Sequence, residues 1–153
     1  MHKLELKVPP PVVALLIAAA MWGLSLLVPA AAASTTLRMV VAIAVACAGI
    51  GIDIAGAIAF RRARTTINPL KPKATSSLVT TGVYRFTRNP MYVGLAVVLL
   101  AWAIWLAALP ALLGLPAFVL YIGRFQIAPE ERALAGIFGD AFADYRSRVR
   151  RWL

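Results

Sequence analysis

The sequence predicts an all-α integral membrane protein: about four transmembrane helices, the last two a tight helical hairpin, then a C-terminal amphipathic cytoplasmic helix. Three observations lead there. Of the 153 residues 61% are hydrophobic and 14% charged, whereas soluble domains run about 45–50% apolar and about 25% charged. Charge-free stretches reach the ~20 residues that a helix needs to cross ~30 Å of hydrocarbon. The cations gather in alternate connections. A mean hydropathy of +0.81 also argues against nucleic acid as the reason for the net charge of +10. Cys47 is the single cysteine and His2 the single histidine, which excludes a disulfide framework, a Cys- or His-rich metal site and a histidine-based triad. Residues 1–153 read as one membrane domain.

The first span, 8–28, carries no charge after Lys7. The alanine run before Ser34 also resembles a signal-peptide cut site, but the apolar stretch exceeds a usual signal core, so it is read as a retained helix. The second span, 37–60, is interrupted by Arg38 at its start and Asp53 inside. Gly51, Ala55 and Ala59, spaced by four, are expected to form its close-packing face, with Cys47 beside them. From Met91 to Gly123 there are 33 residues without a charge, too many for one helix. Turn chemistry at Leu109-Pro110 and Gly114-Leu115-Pro116 divides them into a hairpin of spans 92–108 and 111–126.

Residues 61–90 hold Arg61, Arg62, Arg64, Lys71, Lys73, Arg85 and Arg88 and no acid. The tail 129–153 ends in Arg146, Arg148, Arg150 and Arg151. The positive-inside rule places that loop and both termini in the cytoplasm, in a multi-pass protein of the cell (plasma or inner) membrane. In the tail, Pro129 suits a first helical position, with Glu130 and Glu131 in the first turn. Leu134, Phe138, Ala141, Tyr145, Val149 and Trp152 form one apolar face, which Gly139 can divide in two. Membrane lipids are the expected surroundings, and no nucleic-acid motif is present.

Two blocks in this layout carry chemistry. The first is Leu78-Val79-Thr80-Thr81-Gly82-Val83-Tyr84-Arg85 followed by Arg88-Asn89-Pro90-Met91-Tyr92-Val93-Gly94. The second, beyond the hairpin, is Glu130-Glu131-Arg132-Ala133-Leu134 with Phe138-Gly139, Tyr145 and Val149-Arg150-Arg151. Together they resemble the isoprenylcysteine carboxyl methyltransferase family, which is related to the membrane phospholipid methyltransferases. The family pattern Arg-His-Pro-x-Tyr-x-Gly is met except that Asn89 replaces the histidine. Asparagine keeps a donor and an acceptor but cannot titrate near neutrality.

The resemblance implies transfer of a methyl group from S-adenosylmethionine to a lipophilic acceptor, leaving S-adenosylhomocysteine, without a metal. It makes residues 61–90 a cytoplasmic cofactor loop. Carried over by position, Tyr84, Arg88, Asn89, Pro90, Tyr92, Gly94, Glu130, Glu131 and Tyr145 would bind the cofactor, with Arg148 or Arg150 as further candidates. Arg88, Asn89 and Tyr92 would act at the reacting centre. A glutamate suits the cofactor's ammonium or ribose, Arg88 its carboxylate, and Tyr84 or Tyr92 its adenine or sulfonium. Asp53, ~12 Å below the cytoplasmic interface, is a functional candidate because an intramembrane carboxylate is costly. Trp102 joins it as a residue that could line the acceptor's path. A carboxylate, a thiol or an amine all fit as the acceptor; few bases stand near, which leans toward an acceptor already ionised. The alternative is a small non-enzymatic membrane protein, a transporter or an inactive relative, that uses Asp53.

Overall fold

Pro9 and Pro10 set where the first helix begins, because a proline at the first helical position gives up only an N–H that would lack a partner anyway. In the computed structural model, which describes residues 5–29, 34–63 and 77–153, helix α1 is Pro10–Ser25. Helix α2, Thr35–Arg62, starts where the Ser34 hydroxyl accepts from the Leu37 N–H and ends on Arg61 and Arg62, favourable to the helix dipole. A 3₁₀ turn at Gly82–Arg85 leads to Asn89 and Pro90, which open α3, Pro90–Leu106. The helix ends at Ala107, which takes the left-handed conformation at φ 51°. That is a sharper stop, and an earlier one, than the expected boundary at residue 108.

The expected fourth span, 111–126, and the separate tail from 129 are one helical run. A 3₁₀ turn Leu109–Leu113 passes into α4, Gly114–Ile122, then a π-helical turn Gly123–Ile127, then α5, Ala128–Phe138. Pro129 is the reason a break is expected and the π turn the reason none occurs. Pro129 has no N–H to give the Phe125 carbonyl, and the wider turn carries the chain past the missing bond. The break comes at Gly139, whose φ of 50° and ψ of −121° suit a residue without Cβ. Helix α6, Asp140–Arg148, follows it.

Two helical segments among the described residues are long and apolar enough to cross a membrane, Thr35–Arg62 and Leu109–Phe138, while α1 and α3 are apolar but shorter. Val40, Ile43, Ile50, Ile54 and Ile58 of α2 and Leu15 and Leu16 of α1 are exposed. Water tolerates few contiguous apolar surfaces of this kind; lipid accepts them. The core lies between α1, α3 and the α4–α5 run, with Met21, Phe118, Ile122 and Ile127 fully buried.

Among the described elements, helices α2 and α3 make the most extensive contact. The face that α2 presents is not the expected one. Gly51 has open space around it and Cys47 is exposed, whereas Gly49 and Gly56 are buried. Of the predicted stripe, only Ala59 is buried. A Cβ at Gly49 would stand 2.8 Å from the Gly94 carbonyl oxygen and 2.9 Å from Val98 Cγ2, so the two backbones meet as small-residue helix pairs do. Gly49→Ala is therefore expected to cost about 1–3 kcal/mol by overpacking, and Gly51→Ala to be near neutral. Thermal unfolding of the two variants in the same detergent checks the contrast.

Candidate functional site

Asn89 and Pro90 begin α3 at the same end of the molecule where Glu130 and Glu131 open α5, so the two sequence blocks meet. Glu131 lies in a cleft between two guanidinium groups. Arg88 Nη2 reaches its Oε1 at 2.7 Å and Arg151 Nη2 its Oε2 at 2.5 Å. The side chains of Arg88 and Glu131 are only 10% and 11% exposed. Arg88 does more than pair: its Nη1 donates to the carbonyls of Arg146 (3.1 Å) and Val149 (2.5 Å), and its backbone N–H to Arg150 O at 2.9 Å. Asn89 Nδ2 donates to Arg151 O at 2.8 Å and the Thr87 hydroxyl to the same oxygen at 3.2 Å. The extended segment after α6 is thus held down by residues 87–89.

Glu130 is treated differently. Its Oε1 accepts from the Tyr92 hydroxyl at 2.6 Å, and among the described residues no arginine or lysine pairs with it. Two adjacent glutamates therefore have opposite surroundings, one bracketed by cations and one facing a neutral phenol. Behind Tyr92, Gly94 sits against Asp53: a Cβ there would overlap the Asp53 carboxylate, whose buried Oδ1 has no hydrogen-bond partner. Gly94 is thus placed in the α2–α3 contact, and Pro90 is fully buried at the start of α3.

Tyr84 stands edge-on to Phe60 at 5.4 Å, and its carbonyl accepts the Tyr145 hydroxyl at 2.7 Å. Burial pushes the Tyr84 phenol well above its usual range, with Tyr145, Glu130 and Asp53 adding to the effect. Burial likewise pushes Tyr145 up to about 12, against the opposing pull of Arg88. Beside Tyr145 lies a half-open, mainly polar cavity of about 400 Å³ lined by Thr80, Thr81, Arg85, Tyr145, Arg148 and Val149.

The structure brings together Tyr84, Arg88, Asn89, Tyr92, Glu130, Glu131 and Tyr145, with Asp53 at the edge. It does not bring Trp102, whose indole N–H donates to Ala18 O at 3.0 Å on α1, ten residues or ~15 Å along α3 from Tyr92. Arg88, expected to meet a ligand carboxylate, is engaged by Glu131 and tail carbonyls instead. Thr80, Thr81 and Arg85 join the site without being among the residues expected from the sequence, although the two hydroxyls directly before Gly82 are the signal that marks them. Of the predicted apolar face Tyr145 is buried but Ala141 is exposed, and its neighbour Phe142 is buried instead. Residues 64–76 of the predicted cofactor loop lie outside the described residues.

Two outcomes follow from this geometry. Glu131→Gln leaves Arg88 buried without its counter-charge, and removing one partner of a buried pair costs about 3 kcal/mol. Faster tryptic cleavage after Arg146, Arg148 and Arg150 is the readout. The Tyr145 phenol is raised when folded, so its contribution is complete below pH ~10 and is lost as pH rises through about 12. Tyr145→Phe should cost about 1 kcal/mol at neutral pH, through the hydrogen bond to Tyr84, and flatten the fall in stability above pH ~10; denaturation curves across that range test both.

The family model described as phospholipid methyltransferase matches residues 37–141, from α2 into α6, including the first block and the second as far as Phe138-Gly139 but not Tyr145 or Val149-Arg150-Arg151. An uncharacterized protein of Haemophilus influenzae is 49% identical over 63 residues, which is 41% of this chain and the whole length of that relative. No solved structure matches. With over half of its length matched, and with the Arg88–Gly94 and Glu130-Glu131 blocks inside the matched region, the chain belongs to the phospholipid methyltransferase family.

Proposed function

We propose that the protein is an S-adenosylmethionine-dependent methyltransferase embedded in the cell membrane by four spans, with both termini cytoplasmic, acting on a lipophilic or lipid-linked acceptor. Family membership supports the methyl transfer. The observation that carries the cofactor assignment is the contrast between the two glutamates. Glu130 accepts from Tyr92 and pairs with no described cation, while Glu131 beside it pairs with two. A carboxylate left in this state favours a cationic ligand.

The residues present fit S-adenosylmethionine, which supplies an electrophilic methyl on a sulfonium. Glu130, held in place by the Tyr92 hydroxyl, would balance the charge of the cofactor's ammonium, which S-adenosylhomocysteine also carries. Arg85 and Arg148, at the rim of the cavity beside Tyr145, suit its carboxylate in place of Arg88. Among the described residues Arg148 is held by Asp144 alone, through an exposed pair to its carboxylate at 2.5 Å and a longer bond to its carbonyl, and such pairs yield easily. Arg88 and Asn89 act by positioning, since they fix the tail that walls this cavity. Asn89 holds the tail through its amide and needs no histidine proton to do so. Alignment rather than covalent help should supply most of the rate. The acceptor enters from the lipid side, with Asp53 as the nearest candidate to contact it.

Calorimetry with S-adenosylhomocysteine on the detergent-purified chain tests this. Micromolar binding is expected, weakened ~10–100-fold by Glu130→Gln, the range of one hydrogen bond to a charged group, and less by Tyr92→Phe. Absence of binding to a folded wild-type preparation overturns the assignment. An acceptor screen across thiols, lipid amines and lipophilic carboxylates then follows.

A further inference from the structure

The segment ahead of α1 makes contacts that the site described above leaves unused. The Phe125 carbonyl, which Pro129 deprives of its helical donor, accepts the Leu6 N–H at 3.1 Å. Gln126, fully buried, donates from Nε2 to the Val8 carbonyl at 2.6 Å. The Glu5 carboxylate, 7% exposed, reaches Arg132 at 2.7 Å and Arg124 at 3.5 Å. Burial works against its charge, and the two arginines overcome that to hold it below the usual carboxylate range. Three residues, Glu5, Leu6 and Val8, therefore grip the run from Arg124 in the π turn to Arg132 in α5.

That grip falls where register matters. A π turn holds more residues than an α turn, and it survives where something outside the helix supports it. Were residues 123–127 to tighten to α geometry, every later side chain would swing by ~100° per residue of lost register. Glu130 would leave Tyr92, and Glu131 would leave its arginines. We propose that Glu5–Val8 is a strap that selects the helical register presenting Glu130 to Tyr92, with Glu5 and Gln126 as positioning residues for the cofactor site. The link to the cofactor rests on the reading above; the link to the register does not.

The test is hydrogen–deuterium exchange across residues 123–134 of the full chain, together with S-adenosylhomocysteine affinity, for wild type, Glu5→Gln and Gln126→Met. Glu5→Gln keeps the shape of the side chain, and the Arg124 and Arg132 side chains it releases are 48% and 57% exposed and can be solvated, so its melting temperature should stay within ~2 °C of wild type. Faster exchange in that segment and affinity weakened about three- to tenfold, at unchanged melting temperature, is the expected result. A role confined to stability would move the melting temperature and leave affinity at saturating fold unchanged, which overturns the positioning role. Exchange equal to wild type in both variants overturns the strap itself. Faster exchange in a chain whose wild type binds no S-adenosylhomocysteine supports the strap and removes the cofactor reading.

Discussion

An ionised carboxylate at the end of an apolar helix bundle needs cations within reach, and Glu131 has two, Arg88 and Arg151, from opposite directions along the chain. The demand for counter-charge draws the C-terminal segment across the start of α3. Once Arg88 is seated, its remaining donors need acceptors too, and the carbonyls of residues 146 and 149 provide them. Thr87 and Asn89 then close on the carbonyl of residue 151. Electrostatics at one carboxylate thereby organises a wall of the cavity, and it frees the neighbouring Glu130 from the arginines. Tyr92 keeps Glu130 oriented without neutralising it, which a cation in that place would do.

The helices were legible because apolar runs of this length have few other uses and because Pro10, Ser34 and Pro90 mark their starts. The meeting of the two blocks was legible through resemblance; periodicity alone would not have paired residues so far apart. Other features depend on partners that a local reading cannot supply. Helix α2 is apolar on every side, so its pattern does not distinguish Gly49 from Gly51; the backbone of α3 at Gly94 decides it. Pro129 reads as a helix start because proline is disfavoured inside a helix, and only the N-terminal segment, over a hundred residues earlier, explains how the run continues through it. Arg88 looks available for a ligand until the tail carbonyls are seen.

Asp53 and Gly94 form a second constraint, of shape rather than charge. The carboxylate occupies the space where any larger residue at position 94 would place its Cβ. The glycine of the Arg88–Gly94 block thus serves the fit of two helices. The same fit keeps Asp53 at the level of the site and turned toward α3.

Helix lengths have a consequence for the surrounding lipid. At 1.5 Å per residue, α2 measures ~42 Å while α1 and α3 measure ~24 and ~26 Å. In the proposed bilayer setting the first exceeds the hydrocarbon thickness and the others fall short of it. Lipids bordering α1 and α3 would be compressed there, and their headgroups would sink toward the bundle. The membrane would then be thinnest along one flank of the molecule. An amphiphile seated there would already be drawn toward the depth of Tyr92 and Glu130 before it touches either.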